Sequence, residues 1–172
     1  IITFDHSEQT PTANGRAIVQ DTLDKTRLLV AHNAPHDLLW LWESGFTYDG
    51  DVFDTMLGEY VLQRGQKQPL SLEACAERYM LETQKQDSLK EWLKAGKSVR
   101  DMNHAELSEY LSADLHATQQ LYNVLRTSYE GCSTLEPTVR LTNQLAVHLA
   151  RIYQRGLKVD MTALNAVREE FE

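Results

Sequence analysis

The stretch Arg27-Leu28-Leu29-Val30-Ala31-His32-Asn33-Ala34-Pro35-His36-Asp37 decides how this chain folds. Its first five residues form a short, mostly apolar run, a length that favours a buried strand over a helix. Apolar residues then crowd from Leu38 to Trp42 and Gly45 follows, which predicts a helix over about 35–44 stopped by a glycine. Pro35 fits the first turn, where a missing N–H costs nothing. A strand end that feeds a helix N-terminus is a common ligand position in α/β folds. Asn33 lies near the cap and Asp37 about one turn into the helix. Leu38, Leu39, Trp40, Leu41 and Trp42 make that helix apolar nearly all round, which predicts burial. A carboxylate there needs a partner or a cation. The plainer alternative is a capped helix with one surface Asp.

Working outward, residues 1–4 read as a strand, 15–26 as a modest helix and 51–53 as another strand. Asp54 can cap a helix over about 55–63, and Ser71 one over about 72–80. Ser88 and Glu91 have capping-box spacing for a helix ending near Gly96, and Asn103 and Glu106 repeat it before a long helix over 104–129. Residues 131–137 read as a linker. A helix over about 138–155 stops at Gly156, and residues 157–160 lead into another. Strands alternate with helices, so the fold class is α/β.

Composition sets the outer limits. The chain has 172 residues, 42% of them hydrophobic and 24% charged, which suits one globular domain, with or without a short appendage. Seventeen basic against twenty-five acidic residues leave a net charge of −8, which excludes a protein that holds DNA by bulk positive charge. Cys75 and Cys132 form no CxxC, which favours a reducing compartment. No apolar run approaches the roughly 20 residues of a membrane span, so no membrane partner is expected.

The second constellation is Tyr110-Leu111-Ser112-Ala113-Asp114, within the long helix. The i,i+4 spacing puts phenol and carboxylate on one face, which continues through Ala117, Leu121 and Leu125. An ordinary Tyr–Asp surface pair is the plainer alternative. Two carboxylates from two helices, Asp37 and Asp114, can hold a hard cation such as Mg²⁺. Two such ions about 4 Å apart can activate a water and stabilise the leaving oxygen in phosphodiester cleavage. Tyr110, an ordinary phenol with a pKa near 10, is a weak base and suits orienting that water. Asn33 can donate to a sugar or phosphate oxygen.

These motifs resemble those of the DEDD 3′–5′ exonucleases. Residues 33–37 look like their second motif, NxxxD, and residues 110–114 like their third, YxxxD, in the tyrosine subgroup. Residues 52–62 are similar to the segment after the second motif in family A (polymerase I-like) DNA polymerases, and residues 71–79 to the next helix. The chain 149–160 looks like the join where such a polymerase leaves its exonuclease domain and enters the thumb. The resemblance implies a ribonuclease H-like exonuclease fold, with a central mixed sheet flanked by helices, over residues 1–130. Residues 131–172 would be a C-terminal helical extension linking to a polymerase thumb-like segment. It implies proofreading during DNA replication: hydrolysis at a single-stranded DNA 3′ end, with two Mg²⁺ or Mn²⁺ ions. Asp37 and Asp114 would be metal ligands, Asp37, Tyr110 and Asp114 catalytic and Asn33 substrate-binding. It also implies a polymerase domain in the same parent chain and the cytoplasm of a bacterial or phage-infected cell.

One departure matters. The family's first motif is a DxE pair on the first strand, and no DxE precedes Asn33; the nearest acids are Asp5 and Glu8, at i,i+3. In a strand that spacing points them to opposite faces. The chain also lacks an initiator Met. The expectation is therefore a fragment that begins at a later strand and is by itself a very poor nuclease. A non-catalytic exonuclease-like domain that packs against a polymerase or binds DNA stays open, as does a stand-alone exoribonuclease of the same superfamily, although the tail disfavours the latter.

Other chemistry is thinner. His32 and His36 have i,i+4 zinc spacing, but Pro35 intervenes and no HExxH is present. Arg64, Lys67, Lys85, Lys90, Lys94, Lys97 and Arg100 could follow a DNA backbone or simply be a solvated face. Trp40, Trp42 and Trp92 are expected in or beside the core.

Overall fold

Leu28–Ala31 (β1) and Asp51–Asp54 (β2) pair in parallel, Leu28 opposite Asp51 and Ala31 opposite Asp54. A parallel pair needs a long crossover, and helix α2 (Ala34–Glu43) supplies it. The computed structural model describes residues 14–81, 87–130 and 132–171. The strand expected over residues 1–4, together with Asp5 and Glu8, lies outside the described residues. Among these residues the architecture is mixed α/β, mostly helical, with a two-stranded parallel sheet.

Helix α1 (Gly15–Lys25) precedes β1 and buries Leu23. Helix α2 ends as its glycine requires. Gly45 sits at φ 81°, its N–H donates to Trp42 O, and Phe46 N–H reaches back to Leu41 O. This is a Schellman cap with the buried Phe46 as its apolar anchor. Helix α3 (Thr55–Leu62) starts directly from β2 and is capped by Asp54, and α4 (Leu72–Arg78) is capped by Ser71. Helix α5 spans Asp87–Lys94, with Ser88 at its second position. A 3-10 turn at Val99–Asp101 leads to α6 (His104–Tyr129), where Asn103 accepts from Ala105 N and Glu106 N.

Helix α7 (Leu135–Arg155) starts three residues earlier than the linker reading expects. Pro137 falls in the first turn, where its lack of an N–H is harmless, so it extends the helix instead of ending a linker. Helix α7 packs on α2, α3 and β2, so the chain beyond residue 130 continues into the body. Its buried face carries Val139, Asn143, Ala146 and Ala150; its other side exposes Leu141, Leu145 and Leu149. Asp160 caps α8 (Met161–Phe171), in which no described residue is buried.

The core lies on two sides. Leu23, Leu38, Trp42, Phe46, Tyr48 and Ala150 form one cluster, and Cys75, Leu121, Leu125, Tyr129 and Val139 the other. Helix α2 buries Ala34, Leu38 and Trp42 along one stripe, while Trp40 is 65% exposed. The expected all-round burial of α2 is therefore corrected: the helix lies on the surface with α7 covering a single face.

Candidate active site

The two parallel strands end side by side, and each feeds a helix N-terminus. Asn33, at the end of β1, adopts the left-handed conformation (φ 70°, ψ 50°), which Asn tolerates better than most residues. As the N-cap of α2 it would ordinarily accept from the first turn, yet its side chain makes no capping bond and the residue is exposed. The fully buried Asp54 instead holds the two N–H groups at the very start of the helix. Its Oδ2 accepts from Ala34 N at 3.0 Å, and its Oδ1 accepts from Asn33 N at 3.0 Å and Met56 N at 2.9 Å. One carboxylate thus caps two helices, where aligned peptide dipoles favour negative charge. Its own N–H donates to Asn143 Oδ1 on α7 at 2.6 Å.

His32 fills the space between the strand ends and the loop before α4. Its Nε2 donates to Leu70 O at 2.8 Å, and its Nδ1 lies 2.9 Å from Thr55 Oγ1. Burial pushes its pKa down against the opposing pull of Leu70 O, Asp54 and Asp114, and the Leu70 carbonyl, which can only accept, places a proton on Nε2. Both ring nitrogens are engaged within the protein, which leaves the His32/His36 pair no means of holding zinc through His32.

Asp37 lies at the surface in the first turn of α2. Desolvation pushes its carboxyl pKa up, the charge of Asp54 adds to this, and His36 opposes it. On α6, half-buried Tyr110 stands one turn before Asp114, and desolvation together with that carboxylate pushes the phenol up to about 12. Asp37 feels the charge of Asp54 at the end of β2, His32 feels both Asp54 and Asp114, and the helix that carries Tyr110 and Asp114 packs against β1. Among the described residues no three His, Cys, Asp or Glu side chains form a metal-holding group. Carboxylate oxygens suit Mg²⁺ or Mn²⁺, and two can hold one such ion with water and phosphate completing its shell. Two are too few to cradle a pair of ions.

The sequence profile of the 3′–5′ exonuclease domain of A-type DNA polymerases matches residues 12–130, well over half of the chain. The chain belongs to this 3′–5′ exonuclease family. No curated protein matches it. The matched span of the exonuclease domain takes in Asn33, Asp37, Tyr110 and Asp114 and ends one residue after α6.

Sequence reasoning found Asp54 as a cap of α3 and missed its hold on α2. The available signal was that two strand ends, each entering a helix, become neighbours once the strands pair. His32, Thr55 and Asn143 were likewise invisible, since each acts on a residue at least 23 positions away. The cations Arg64, Lys67, Lys94, Lys97 and Arg100 are all exposed, and Lys97 stacks over Trp92 at 4.3 Å. Lys85 lies outside the described residues. Trp42 is buried as expected, with the Arg151 guanidinium 3.5 Å above its ring. Among the described residues no helix is long and apolar enough to cross a membrane.

Proposed function

We propose that this exonuclease domain proofreads for a DNA polymerase of the A family, removing nucleotides from a single-stranded 3′ DNA end within a ribonuclease H-like fold. The observation that carries the reading is the family match, whose span takes in the NxxxD residues at the start of α2 and the YxxxD residues on α6. Asp37 and Asp114 would hold divalent Mg²⁺ or Mn²⁺, which when bound supplies an acidified water and stabilises the leaving oxygen. Asp37, whose ionised form is disfavoured where it stands, gains most from a cation. Tyr110 is a neutral phenol beside Asp114, so its oxygen accepts from the attacking water and sets its direction rather than taking its proton. The exposed carboxamide of Asn33 donates to a sugar or phosphate oxygen of the 3′-terminal nucleotide. Residues 131–172 lead toward a polymerase domain; the exposed Leu141, Leu145 and Leu149 suit a further protein surface.

The test is release of mononucleotides from a 3′-ended DNA strand in Mg²⁺ or Mn²⁺, by residues 1–172 and by the longest natural chain that contains them. Mn²⁺ should broaden the resonances of Asp37 and Asp114 in both. No cleavage by either chain, with no broadening, overturns the reading. One observation favours a second reading: with no three-residue metal group among the described residues, a non-catalytic domain that only binds DNA or a polymerase would show strand binding without hydrolysis.

A further inference from the structure

We propose that Asp54 is a positioning residue for the exonuclease site: by holding the backbone N–H groups of Asn33 and Ala34 it fixes the turn that presents the Asn33 carboxamide to the substrate strand and carries Asp37. The inference rests on the proposed substrate-binding role of Asn33 and extends it to a residue assigned contact with neither substrate nor metal.

An Asn at an N-cap normally spends its side chain on the N–H groups of the first turn. Here Asn33 is at the cap position with left-handed backbone angles, and that side chain caps nothing. Pro35 has no N–H and His36 N donates to Asn33 O, so the first turn leaves that side chain little to cap; the N–H groups of Asn33 and Ala34 are held from the neighbouring strand. Asp54 is directly opposite Ala31 in the parallel register, so its carboxylate reaches across the strand ends to Asn33 N and Ala34 N at 3.0 Å each. The same carboxylate accepts from Met56 N at 2.9 Å and Leu57 N at 3.4 Å at the start of α3. Its Oδ1 alone reaches both helices, its Oδ2 adds Ala34 N, and full burial keeps water from competing. The left-handed geometry of Asn33 is sparsely populated and persists where surrounding bonds over-determine it. The two bonds to Asp54 provide that constraint. Asn143 fixes the Asp54 backbone through its N–H, so the position of Asn33 is tied through Asp54 to α7.

The experiment separates the two caps. Asp54→Ser keeps a good N-cap for α3, but its single oxygen on a shorter side chain cannot also span the strand ends to Asn33 N and Ala34 N. In the 172-residue chain, amide exchange at Asn33 and Ala34 should accelerate at least about tenfold, as expected from losing bonds to a charged acceptor, while Met56 and Leu57 stay protected. The affinity for a 3′-ended oligothymidylate in Mn²⁺ should fall about tenfold, as it should for Asn33→Ala. Combining the two substitutions should lower it little further, because both act through one group. Asp54→Asn, which retains one carbonyl oxygen, should fall between. Unchanged exchange at Asn33 and Ala34, or fully additive losses of affinity, would overturn the proposal even though the unsubstituted chain binds DNA. If the unsubstituted chain does not bind the oligonucleotide, the functional reading fails, and exchange at Asn33 and Ala34 alone then decides whether Asp54 holds α2.

Discussion

Tyr110 stands one turn before Asp114 on α6, and desolvation, with this carboxylate beside it, holds the phenol neutral up to about 12. A base that must lose its proton at neutral pH cannot be Tyr110. Its raised folded pKa contributes stability that is complete below the unfolded value of about 10 and is lost as pH rises from there to about 12. Carbon-13 NMR of the Tyr110 ring should show no titration between pH 7 and 10. In an active chain Tyr110→Phe should slow single-turnover cleavage roughly 10²-fold while barely changing stability. Unchanged cleavage would exclude the water-orienting role.

Asp37 has its ionised form disfavoured by desolvation and by Asp54. Its contribution to stability is therefore greatest below the ordinary carboxylate pKa of about 4 and is lost as pH rises through its raised folded value. Asp37→Asn should raise Tm slightly at pH 7 in EDTA and should weaken Mn²⁺ binding at the same pH. A lower Tm in EDTA would mean that the Asp37 carboxylate is satisfied within the protein.

Glu59 is 1% exposed and holds three donors: Arg78 Nη1 at 2.7 Å, Tyr79 OH at 2.7 Å and Gln63 Nε2 at 3.2 Å. Removing the cation strands a buried charge, so Arg78→Ala should cost about 3 kcal/mol in urea unfolding. Glu59→Gln, which keeps an acceptor and removes the charge, should cost only about 1–2 kcal/mol. Equal losses would show that charge pairing contributes little beyond the hydrogen bonds.

Gly58 sits where α3 crosses α6. A Cβ there would meet Leu125 Cδ1, Phe53 Cζ and Tyr129 OH, each at 3.2 Å, and Tyr129 also donates to Gly58 O. In an open helix Gly→Ala gains up to about 1 kcal/mol; here overpacking of about 1–3 kcal/mol opposes it. Gly58→Ala should therefore lower stability by about 1 kcal/mol in chemical denaturation, and a rise would show that α3 and α6 separate easily.

Local chemistry in the sequence determined the elements: the apolar run at 28–31, the glycine stop at Gly45, and the caps Asp54, Ser71, Asn103 and Asp160 all act within a few residues of themselves. The stripe Ala117, Leu121 and Leu125 was legible for the same reason, since helical periodicity alone puts it on one face. The motif residues Asn33, Asp37, Tyr110 and Asp114 were legible as types at set spacings. Only the tertiary structure decided which helices are covered. Trp40 is as apolar as Trp42, yet α7 covers one and leaves the other in water, and nothing within α2 encodes where a helix a hundred residues later will lie. The same holds at the site. That Asp54 caps α2 as well as α3 follows from Ala31 and Asp54 being opposite each other in a parallel pair, a register set by long-range packing rather than by either segment.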